Sequence, residues 1–155
     1  MFELEIRDDM SELEKFVREE ANLYVKETMF SSCISLENPH IVSVVKKGKD
    51  VTSYVVKLYK ENGEYSHQNM FTHFFLLVMQ NLYGNPFKGY VGMDFAVRYW
   101  LKAYEYNCLD WDKERDNTAF LLDLFDCKSI DELKEVVKPQ VGVYDKPEDK
   151  EGSED

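Results

Sequence analysis

Residues 41–59, IVSVVKKGKDVTSYVVKLY, decide the fold class. Two β-branched and aromatic runs, Ile41 to Val45 and Val51 to Tyr59, flank the lysine-rich stretch KKGKD with its single glycine. Side chains of this type fit a pleated, half-buried surface, and the glycine supplies a turn, so the stretch predicts a β-hairpin. Pro39 stands where it would open an edge strand. Outward from the hairpin, Phe2, Leu4 and Ile6 alternate with Glu3, Glu5 and Arg7, the period-two pattern of a first strand. Asn62-Gly63 is a second turn signal, and a short strand through Glu64 and Tyr65 would complete a meander.

The remaining apolar patterns are helical. Ser11 and Glu14 form a capping box before a stripe of Leu13, Phe16, Val17, Ala21, Tyr24 and Val25 that runs to about Phe30. The opposite face carries Glu12, Glu19, Glu20 and Glu27 and reads as a solvated face. SHQNMFTHFFLLVMQNLYG, residues 66–84, is apolar around most of the helical wheel, with Ser66 as N-cap and Gly84 as a left-handed stop. Met93 to Asn107 predicts an aromatic-rich helix, Ala119 to about Cys127 another, and Ser129 with Glu132 caps a last one that Pro139 ends. The expectation is one α+β domain over residues 1–144, a small antiparallel sheet of two to four strands packed with four to five helices. Residues 145–155, DKPEDKEGSED, contain no large apolar residue and predict a disordered acidic tail.

Composition narrows the function. A chain of 155 residues with 44% hydrophobic residues can bury a core without disulfides or metal. The net charge of -11 argues against general nucleic-acid or anionic-membrane binding, both of which need a dominant cationic face. The charge is polarised: residues 1–30 hold nine acids against four bases, whereas residues 31–60 hold two against five. Three scattered cysteines, Cys33, Cys108 and Cys127, suit free thiols in a reducing compartment. No apolar run is long enough to span a bilayer, and the acidic N-terminus lacks a signal-peptide pattern, so a cytoplasmic protein is expected.

Tests for chemistry give little. His67 and His73 are six residues apart, about 120° around a helix, and cannot chelate one ion from one face. A calcium loop starting at Asp112 would use Glu114, Asp116 and Asp123, but Asn117 replaces the turn glycine and the apolar helix period begins inside the loop. No nucleophile elbow or phosphate-binding glycine loop is present, and no cofactor is implied. No residue is assigned a catalytic role.

What stands out is a crowd of aromatic side chains after the apolar helix, beside the acidic stretch LDWDKERD at 109–116. Tyr and Trp left at a surface are common interface anchors. Tyr90, Trp100, Tyr104 and Trp111, with Asp110, Asp112, Glu114 and Asp116, are therefore the candidate partner-binding residues. They suggest a non-enzymatic, acidic interaction module for a protein with a basic surface. Its sharpest form is a phage or mobile-element inhibitor that occupies a nucleic-acid-binding groove; a second copy is another partner to weigh. One alternative is a small-molecule enzyme or binding protein using FKGYVG at 87–92. Another is RNA contact through Lys46, Lys47 and Lys49 in the hairpin.

Overall fold

Asn38 and Pro39 begin a helix where the sequence suggested a strand. The computed structural model describes residues 3–28, 37–62, 70–87, 91–110 and 117–137. Among these there is no β-strand, so the expected α+β fold with an antiparallel sheet is replaced by an all-helical one. The helices are α1 (Glu12–Thr28), α2 (Pro39–Val45), α3 (Thr52–Asn62), α4 (Met70–Tyr83), α5 (Met93–Glu105), α6 (Thr118–Phe125) and α7 (Ile130–Val137). A 3-10 turn at Lys49–Val51 leads into α3. The short strand at Glu64 and Tyr65 and the tail at 145–155 lie outside the described residues.

The reason for the correction lies in spacing. Ile41 and Val44 are three residues apart, and Val51, Val55, Leu58 and Tyr59 recur at steps of three and four, and all six are buried. That is one face of a helix, whereas a strand would have placed Ile41, Ser43 and Val45 together. Asn38 Oδ1 accepts the His40 N–H at 2.9 Å, and Pro39 fills the first turn, where its missing N–H costs nothing. Gly48, with φ of +85°, turns the chain between two helical pieces instead of two strands. The other expected strand, near Leu4, has no regular secondary structure and no partner strand among the described residues. The Asn22 side chain takes that place, accepting the Leu4 N–H at 2.7 Å and donating to the Leu4 carbonyl at 3.2 Å.

The chain divides into two compact units, Met1–Gly84 and Asn85–Asp155. In the first, α4 packs against α1, α2 and α3. Phe71, Phe74, Phe75, Val78 and Met79 are its buried apolar positions, with Phe74 beside Tyr24 of α1 and Phe75 stacked on Tyr59 of α3 at 4.8 Å. None of the exposed large hydrophobic side chains belongs to α4. Its other apolar positions, Met70, Leu76, Leu77 and Leu82, are half-buried, and Gly84, with φ of +89°, ends it as its sequence position suggests.

A charge cluster with its α1 members, Glu14 and Arg18, buried joins α1 to α3. Arg18, 1% exposed, reaches Glu14 one turn away at 3.2 Å, both oxygens of Glu61 on α3, and the Glu5 carbonyl at 3.1 Å. Lys57 of α3 in turn donates to Glu14 at 3.0 Å. Burial alone would raise the Glu14 carboxyl, but Lys57 and Arg18 outweigh it and hold the group below its ordinary value.

In the second unit α6 packs against α5 and α7. Phe87, Tyr99, Trp100 and Phe120 meet edge to face there. Arg98 of α5 donates to the carbonyls of Asp123 and Leu124, two of the last acceptors of α6. Helices α5 and α6 end alike. Asn107 and Asp126 take the left-handed conformation, and the following Cys108 and Cys127 close bonds to carbonyls five residues back. This is the Schellman arrangement with an Asx residue in glycine's usual place. Ser129 caps α7 through the Glu132 N–H at 3.2 Å. No described helix is long and apolar enough to cross a membrane.

Candidate functional site

The residues that the sequence singled out are only partly described. Asp110 is exposed, just after α5, and Tyr104 near its end is 37% exposed. Trp100 does not fit its expected role. It is 2% exposed and packed edge to face with Tyr99 and Phe87, so the folded chain leaves it no ring face for a partner. Tyr90, Trp111, Asp112, Glu114 and Asp116 lie outside the described residues, as do Lys88 and Gly89 of FKGYVG. Asp123, weighed above as a calcium ligand, sits within α6, where Lys102 and Tyr106 each donate to its Oδ2 at 2.9 Å. Those two bonds hold its carboxyl below the ordinary value. Among the described residues no cluster of His, Cys, Asp and Glu has the arrangement of a metal site.

Lys46, Lys47 and Lys49 sit at a turn between helices, which corrects the hairpin placement. Lys47 Nζ lies over the Phe16 ring and Lys49 Nζ over the Tyr83 ring, each 4.9 Å from the centroid. Cations held against rings cover apolar surface as much as they project charge.

The acidic face of α1 is more organised than a solvated face needs to be. Glu20 and Glu27 both reach back to His40 at the start of α2. Glu20 Oε1 is 3.2 Å from Nδ1 and Glu27 Oε2 is 2.8 Å from Nε2. A neutral imidazole has one N–H, so only the imidazolium can donate to both carboxylates. Burial opposes the charge, but the hydrogen bonds from Glu27 and Glu20 prevail and raise the His40 pKa above 6.5. A raised folded-state value means that this clasp contributes its full stability below the unfolded value and loses it as pH rises through the folded one. His73 on α4 works in the opposite sense, since burial lowers its pKa and its contribution is lost as pH falls. Comparing wild type with His40→Gln separates the two: the stability gap should be larger near pH 6 than near pH 8 in urea titrations. A gap that does not change with pH would count against the charged clasp.

On the same helix a groove opens that sequence reading missed. Ile6 is 38% exposed and Leu23 is 40% exposed, and both line one half-open hollow of about 270 Å³ between the N-terminal segment and α1. Glu3, Glu19, Asn22 and Lys26 complete most of its lining. The signal was present in the sequence. Leu23 lies outside the core stripe of α1, with Glu19 four residues before it and Glu27 four residues after, so it is an apolar side chain set into an acidic face.

Comparison with protein-family models, with curated proteins and with solved structures finds no match to this chain.

Proposed function

We propose that this chain is a non-enzymatic interaction module whose acidic surface binds a basic site on another protein. The carrying observation is how charge is disposed among the described residues. Many cations are engaged internally: Arg18 and Lys57 with Glu14, Arg98 with helix-end carbonyls, Lys102 with Asp123, Lys47 and Lys49 over rings. Glu3, Asp8, Glu12, Glu19, Asp131 and Glu135 are exposed, as are Lys47, Lys49, Lys57 and Arg98, while Arg18 is buried. A net charge of -11 carried on a surface where most charged side chains are exposed favours encounter with a basic partner and disfavours a phosphate backbone or a second acidic copy.

Affinity capture from a lysate tests this reading. Captured proteins should be basic, and their recovery should fall at high salt and in a variant combining Glu12→Lys with Glu19→Lys. A parallel variant reversing Asp110, Asp112, Glu114 and Asp116 distinguishes the two acidic stretches. Recovery that ignores both salt and charge reversal would remove the proposal.

A further inference from the structure

Resting on that reading, we infer that the groove between the N-terminal segment and α1 is where the partner docks, and that its occupant is a basic segment with one apolar side chain seated between Ile6 and Leu23. Three observations converge there.

First, the groove is built in advance. Asn22 bonds the Leu4 backbone through both its amide oxygen and its amide nitrogen, and Arg18 holds the Glu5 carbonyl, so the wall carrying Ile6 is tied to α1 at two points. A wall fixed before binding lowers the ordering cost of association. Second, its size suits a single side chain. At about 270 Å³ it falls short of the roughly 300–1,000 Å³ usual for small-molecule pockets, and its apolar lining is three residues, Ile6, Leu23 and Val25. Third, charge selects the occupant. A second copy would set Glu3 and Glu19 against a segment that itself holds nine acids and four bases. The chain's own residues 145–155 hold six acids against two lysines and are repelled as well. A segment bearing Lys or Arg beside its apolar anchor is attracted to both carboxylates.

The groove also has a direction. Glu19 lies one turn before Leu23 and Lys26 about one turn after it, so the occupant's cations belong at the Glu19 end.

The probe is a short fluorescent peptide of Lys and Leu at helical spacing, with a control in which every Leu is Ser. In methyl NMR the Lys/Leu peptide should shift Ile6 and Leu23, and the Lys/Ser peptide should not. Combining Ile6→Ser with Leu23→Ser should weaken Lys/Leu binding by about tenfold or more, whereas Lys26→Glu should strengthen it. Both serine positions are exposed, and circular dichroism confirms that the variant folds. If the peptide binds in a salt-sensitive way but the double variant binds equally well, the groove assignment fails while the acidic module stands. If neither peptide binds, both fail. Methyl shifts that appear on concentrating the protein alone would replace the basic occupant by a second copy.

Discussion

Replacing Arg18 by alanine is expected to cost about 3–5 kcal/mol of folding stability, the usual penalty for breaking a buried ion pair from one side. The guanidinium is almost fully buried and binds Glu14, Glu61 and the Glu5 carbonyl together. Its loss leaves the buried Glu14 with Lys57 as its remaining charge partner in this cluster and frees the N-terminal segment from one of its two ties. Arg18→Met combined with Glu14→Met should cost much less than Arg18→Ala alone, because no buried charge is then stranded. Urea unfolding of the three proteins measures this, and a loss below about 1 kcal/mol for Arg18→Ala would show that the cluster is solvated in solution.

Phe75→Ala should be comparably severe, about 3–5 kcal/mol, through lost burial and an unfilled cavity. Phe75 is fully buried in α4 and stacked on Tyr59 of α3, with the rings inclined by 24°. The effect should appear in probes of the first unit, and Phe75→Leu should recover a large part of it. A mild effect of the alanine variant would mean that α4 is not the core element of that unit.

Local signals in the sequence carried the helices, and non-local ones did not. The caps at Ser11 and Ser129 and the stop at Gly84 act within one turn of the chain, and the structure contains all three. The stretch at 41–59 failed because valine and isoleucine carry β propensity that packing overrides, and the deciding evidence was the interval between buried positions rather than residue type. Asn38-Pro39 was the missed clue. It reads as an N-cap followed by a first-turn proline as naturally as it reads as an edge strand. For the candidate site, aromatic crowding located surface Tyr104 but also buried Trp100, since a helix core and an interface draw on the same residue types. Ile6 and Leu23 line one groove because Asn22 and Arg18 tie the N-terminal segment to α1, contacts between residues 18 and 13 positions apart.

The charge cluster has one more consequence, for how α1 and α3 find their alignment. Glu14 meets Lys57 and Arg18 meets Glu61, and both pairs are separated by 43 residues, so the facing stretches run in the same direction. Each helix spells its pair in the opposite order of sign. Sliding α3 by one turn would therefore set Lys57 against the buried Arg18, or Glu61 against the buried Glu14, like charge against like. An apolar contact such as Phe75 on Tyr59 tolerates small slips, but two alternating pairs do not. Four charged side chains thus act as a key with one fitting position, and a more stable all-apolar seam in their place would give up that selectivity.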